Sequence, residues 1–155
     1  MRVLFMCTAN SCRSILSEAM FNHLAPQGFE AVSSGSFPKG QVLPRSLSTL
    51  QQSGISIDHL YSKGNDAFEG NPPDIVITVC DKAAGESCPV YFGPALKTHW
   101  GLEDPSDVTD EAAIDAAFRA TLARIEHRCK AFLELPFNRL SRDALKTELD
   151  RIGLL

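Results

Sequence analysis

The sequence has no apolar run approaching the about 20 residues that a membrane-spanning helix requires. Near its start only Val3 to Cys7 is continuously apolar. That is too short for the core of a secretion signal, and no small-residue cleavage site follows it. Positive charge is also scarce. Lys and Arg number 15 against 19 Asp and Glu, a formal net charge of −4, which argues against a protein held on nucleic acid by a general basic field. Internal repeats, low-complexity tracts and linkers are missing. So are the short paired cysteine knuckles of structural zinc sites, since four residues separate Cys7 from Cys12 and seven separate Cys80 from Cys88. His23, His59, His99 and His127 add no ligand spacing. These absences describe a cytoplasmic protein with no membrane or nucleic-acid partner and no metal.

What is present suits one domain spanning residues 1–155, with 44% hydrophobic and 22% charged residues. In a cytoplasmic chain, five cysteines point to catalysis, redox chemistry or metal binding before structural disulfides.

The pattern predicts strands over Arg2–Met6, Phe29–Ser33, Asp74–Val79 and Ala95–Trp100. Helices are expected over Arg13–Leu24, Pro44–Gln52, Thr109–Leu135 and Ser141–Ile152. Pro44 opens the second, Gly54 caps its end, and Asp110-Glu111 suit the positive end of the third. The stretch from Asp81 to Ser87 reads as a polar loop. Alternating strands and helices imply an α/β fold, a parallel sheet with helices on both faces. Ligands in such folds bind beyond the strand carboxyl ends, where strand order reverses. Cys7 and Cys80 both sit at such ends, and Asp104 follows shortly after another, so three reactive side chains can converge on one rim.

Cys7-Thr8-Ala9-Asn10-Ser11-Cys12-Arg13-Ser14 carries the chemistry. A strand entering a tight loop at a helix N-terminus points free N–H groups inward and makes an anion site. Arg13 adds a planar fork matched to two oxygens of a tetrahedral anion. The helix end and the guanidinium both favour a Cys7 thiolate. Thr8 to Ser14 are therefore the expected oxyanion-binding residues, with Cys12 facing away in a structural role. Cys129 lies on the apolar stripe of the long helix and reads as core.

This loop resembles the phosphate loop of the low-molecular-weight protein tyrosine phosphatases, and still more that of the arsenate reductases built on the same fold. The resemblance covers essentially the whole chain and implies a four-stranded parallel sheet in flavodoxin-like order. Asp104-Pro105 stands at the family's general acid. The phosphatases have Gly where Ala9 stands and Asp-Pro-Tyr where this chain has Asp104-Pro105-Ser106. Val79-Cys80, Ser87-Cys88-Pro89 and Thr98-His99-Trp100-Gly101 resemble the thioredoxin-coupled reductases, which carry two cysteines beyond the first.

The resemblance implies catalysis by Cys7, Arg13, Cys80, Cys88 and Asp104. Arsenate would be reduced to arsenite for arsenic detoxification, with a Cys80/Cys88 disulfide recycled by thioredoxin or glutaredoxin and no cofactor. Some such reductases hold potassium through residues matching Asn10, Glu18, Ser33 and a distant acid. Lys63 stands at that distant position, so its ammonium is expected to replace the ion and pair with Glu18. Two other readings stay open: a tyrosine phosphatase, and a non-catalytic module sensing oxyanions or redox state.

Overall fold

In the computed structural model, which describes residues 1–86 and 92–155, the four strands form a parallel sheet. They are β1 (Arg2–Cys7), β2 (Glu30–Gly35), β3 (Ile75–Thr78) and β4 (Leu96–His99), in the order β2-β1-β3-β4. The chain leaves β1 outward to β2 and then returns to β1's other side, so strand order reverses between β1 and β3. The carboxyl ends of these two strands flank the crevice where an α/β sheet takes its ligand.

Helices α1 (Arg13–Leu24), α2 (Pro44–Gln52), α4 (Glu111–Leu133) and α5 (Arg142–Ile152) fall within two residues of the expected bounds. The capping chemistry explains why. Pro44 stands in the first turn of α2, and Gly54 leaves it at φ 74°, a conformation that glycine adopts without strain. The Asp110 side chain accepts from the Ala112 N–H to start α4, and Ser141 does the same for Ala144 in α5. One further helix, α3 (Asp81–Ala84), occupies the stretch expected to be loop, with Cys80 at its N-cap. Strand β2 runs two residues past Ser33, because Ser34 and Gly35 pair with Met6 and Cys7.

Both sheet faces are covered, unequally. Alternate residues of β1 separate them, as the two-residue period of a strand demands. Val3 and Phe5 enter the larger core with Phe21 of α1, Phe118 and Phe132 of α4 and Leu149 of α5. Leu4 and Met6 join Val76 and Phe92 on the other face, with Phe68 packed against them. Trp100 stands against both Phe5 and Phe132, with ring centroids 6.1 Å apart in each pair. Its indole N–H donates to the Leu149 carbonyl at 3.0 Å, satisfying the polar edge of a buried ring. This core stiffens the strand ends on which the reactive residues stand. No helix among the described residues is long and apolar enough to cross a membrane.

Candidate active site

β1 delivers Cys7 to the sheet rim, and residues 8–12 loop back to the N-terminus of α1. The loop's carbonyls are taken up by its surroundings. Thr8 and Ala9 accept from the N–H groups of Phe37 and Lys39 at 2.9 Å, and Ser11 accepts from Leu43 at 3.0 Å. Among the described residues, the N–H groups of Ala9, Asn10, Ser11 and Cys12 donate to no protein acceptor. Cys12, the N-cap of α1, supplies no side-chain capping bond. The positive end of the helix and the loop's donors are therefore directed at whatever anion enters.

Fully buried Asn10 holds that shape from behind, with φ 48° in the left-handed region that asparagine tolerates. Its amide donates to Ser14 Oγ at 2.9 Å and Ser33 Oγ at 3.0 Å, and its carbonyl oxygen accepts from the Lys63 N–H at 2.9 Å. Ser33 in turn donates to Glu18 Oε1 at 2.6 Å. Lys63 Nζ lies 3.5 Å from the same oxygen, as expected from the sequence, and donates to the Tyr61 carbonyl at 2.9 Å. Burial raises the pKa of Glu18 and lowers that of Lys63, and the attraction between them opposes both shifts.

On the cleft side, Arg13 divides its fork. Nη1 donates to the Leu102 carbonyl at 3.1 Å, and Nη2 lies 3.5 Å from Asp104 Oδ2. Asp104 Oδ1 accepts from the Ser106 N–H at 3.0 Å and from its hydroxyl at 2.6 Å, so Ser106 fixes the carboxylate's orientation. Ser106, which stands where the phosphatases carry tyrosine, thus has a role of its own. Thr8, Arg13, Cys80, Leu102, Asp104 and Val108 are among the residues around an open cleft of about 690 Å³.

Cys80 reaches this cleft from the end of β3. Its sulfur is 3.6 Å from Thr8 Oγ1, and the neighbouring Cys7 thiol is the largest influence on its titration. That neighbour lowers the Cys80 pKa to about 5 against the resistance of burial. The Ala83 N–H, Thr8 and Arg13 contribute in the same direction. Cys7 is raised in consequence, first by Cys80 and then by burial, with Arg13 pulling the other way. The pair carries one proton and one negative charge at neutral pH. Moving that proton to Cys80 puts the thiolate on Cys7, on which Arg13 acts favourably.

The remaining cysteines behave differently. Burial raises Cys12 to about 12, partly offset by Ser46, and raises Cys129, fully enclosed in the core, to about 12. Both stay thiols at neutral pH. Cys88 lies outside the described residues. His99, the one histidine near the rim, stands 2.8 Å from Thr78 Oγ1 through Nδ1 and 3.1 Å from Asp81 Oδ1 through Nε2. Among the described residues, no three His, Cys, Asp or Glu side chains gather as a metal site would require.

Comparison with known proteins adds three kinds of similarity. The family described as low molecular weight phosphotyrosine protein phosphatase matches residues 2–148. An arsenate reductase of Halalkalibacterium halodurans is 32% identical over 134 residues, 85% of this chain and 94% of that protein. The crystal structure of an arsenate reductase from Archaeoglobus fulgidus superposes with a TM-score of 0.71 at 26% identity, covering 86% of this chain and 99% of that one. A thioredoxin-dependent arsenate reductase of Corynebacterium glutamicum does so with a TM-score of 0.61 at 29% identity, covering 83% of this chain and 60% of that one.

Proposed function

The chain belongs to the low-molecular-weight phosphotyrosine protein phosphatase family and to its arsenate reductase branch, and from that we propose that it reduces arsenate to arsenite through a cysteine relay. The observation that carries the proposal is the second cysteine: Cys80 on the cleft beside the anion loop, 3.6 Å from Thr8 Oγ1 and the largest influence on the titration of Cys7. Ester hydrolysis needs one thiolate. Reducing arsenic(V) takes two electrons, which two thiols supply by forming a disulfide.

Arsenate docks between the loop N–H groups and Arg13, which neutralise its oxygens. The Cys7 sulfur attacks arsenic, forming an S–As bond, while Asp104 protonates the departing oxygen, which leaves as water. Cys80 then releases to solvent the proton it took from Cys7, and its thiolate attacks the Cys7 sulfur. An S–S bond forms, the S–As bond breaks, and its electron pair stays on arsenic, which departs as arsenite. Over both steps the pair, one thiolate and one thiol, loses one proton and two electrons, and the proton that completes the water comes from Asp104. Cys88 attacks Cys80, freeing Cys7 and moving the disulfide to Cys80–Cys88. Thioredoxin, or glutaredoxin in its place, reduces that bond by the same exchange. The other members of the machinery are Thr8, Ala9, Asn10, Ser11, Cys12 and Ser14, which shape the oxyanion loop of the single 1–155 domain.

Cys88→Ser tests the reading. Arsenate-dependent NADPH oxidation with a thioredoxin system should collapse, while one equivalent of arsenite is still released per enzyme and hydrolysis of a small aryl phosphate is retained. Unchanged arsenate turnover in this variant would overturn the relay. Turnover with glutaredoxin alone would reassign the reductant. Stoichiometric oxidation without recycling by either system would identify a sensor.

A further inference from the structure

Arg128 of α4 is 1% exposed and pairs with no carboxylate among the described residues. Its Nη1 donates to the Gly101 carbonyl at 3.0 Å and its Nη2 to the Gly153 carbonyl at 2.9 Å, while Nε finds no partner among the described residues. Enclosing a guanidinium with two neutral acceptors and one idle donor is costly. Burial is the main reason that its pKa is lowered, to about 10. A methionine or leucine would fill the volume without that cost, so the arginine's fork must supply something that apolar packing cannot.

What the fork joins is informative. Gly101 precedes Leu102, whose carbonyl accepts from Arg13, and Asp104 follows two residues later. The segment leaving β4 is pinned at successive points. The Trp100 N–H donates to Thr78 at 2.8 Å, the Leu102 N–H donates to Val79 at 3.0 Å, and adjacent carbonyls at 101 and 102 bond to Arg128 from the core side and Arg13 from the cleft side. The second arm of Arg128 ties the same point to the end of α5. There Gly153 packs so closely that a Cβ would overlap the His99 carbonyl oxygen.

We infer that Arg128 is a positioning residue for the general acid, holding the Gly101–Asp104 segment against α5 so that Asp104 stays in register with Arg13. This rests on the reading of Asp104 as the acid. Arg128 acts through the backbone and touches no reacting atom.

Arg128→Lys and Asp104→Asn, alone and combined, test it through the rate of arsenite release in a single turnover, which needs no external reductant. Urea melts confirm that each variant is folded. Where Arg128→Lys does not fold, Arg128→Gln keeps one donor for Gly101 and takes its place. A displaced acid should slow the reaction about tenfold with apparent arsenate affinity little changed. In the Asp104→Asn background the same substitution should slow it less than about twofold further, because the group it positions is already disabled. Equal losses in both backgrounds would make Arg128 a merely structural residue and overturn the inference, as would a full rate in the Arg128 variant. A full rate in Asp104→Asn alone would instead overturn the acid assignment, and the route through Asp104 with it.

Discussion

Lys63 Nζ lies 3.5 Å from Glu18 Oε1 behind the anion loop, with both side chains about nine-tenths enclosed. Through Ser33 this pair reaches Asn10, the residue whose left-handed turn shapes the loop. A protein cation thus stands beside the loop's supporting carboxylate. Replacing sodium with potassium should change arsenate turnover by less than about twofold, since an ion without a site shifts no equilibrium. A several-fold activation would contradict this. Lys63→Met leaves Glu18 buried without its cation and should cost about 3 kcal/mol in urea unfolding at neutral pH. With Lys63 gone, burial raises the Glu18 pKa further. A raised carboxylate gives stability below its ordinary range and loses it as pH rises. The deficit should therefore shrink as pH falls.

The shared proton of Cys7 and Cys80 makes a spectroscopic prediction. The thiolate absorbance near 240 nm should report one charge for the pair at pH 7, disappearing with a midpoint of about 5 as Cys80 is protonated. The rate at which Cys80 attacks the Cys7 sulfur should fall about tenfold per pH unit below that midpoint, because the thiolate is the nucleophile. In Cys80→Ala the midpoint should move upward. Cys7 loses the neighbour that most raises its pKa, yet it stays buried, with Arg13 its principal stabiliser. A midpoint unmoved by Cys80→Ala would place the charge elsewhere.

Most of the fold was legible because its signals are local. Pro44 and Gly54 bracket α2, Asp110 and Ser141 cap α4 and α5, and the β-branched run of β3 announces a buried strand. Helix α3 escaped because four residues carry too little periodicity to stand out. The extra two residues of β2 depend on pairing with Met6 and Cys7, which no local pattern encodes. In the site, Cys7, Cys80 and Asp104 were legible from strand ends, Arg13 from the start of the helix after the loop, and Lys63 from the family resemblance. Ser106 and Arg128 were not. A serine after Asp-Pro and an arginine on an amphipathic helix have no distinctive sequence context, and their roles come from contacts made only when the chain closes.

Gly35 tests how tightly the loop's shape is set. It ends β2 under the anion loop, where a Cβ would overlap the Thr8 carbonyl oxygen and stand 3.0 Å from the Asn10 nitrogen. Its backbone is ordinary, so the constraint is space alone. Gly35→Ala should push the loop outward, at about 1–3 kcal/mol in stability, and weaken protection by inorganic phosphate against Cys7 alkylation about tenfold. Unchanged protection would show that the loop yields to the methyl group without loss of its donor geometry.

Arg13→Lys separates charge from shape. Lysine keeps the positive charge that favours the Cys7 thiolate, but it has no fork to hold the Leu102 carbonyl and stand by Asp104 together. The charge alone predicts a nearly normal thiolate titration. Loss of the fork removes bidentate contact with the oxyanion and one of the two arginine bonds on the segment leading to the acid. Both losses bear on the transition state, so kcat/KM for arsenate should fall about 10²–10³-fold. If the thiolate midpoint and the rate moved together, charge would be the main contribution of Arg13. If the rate alone collapsed, its geometry would be.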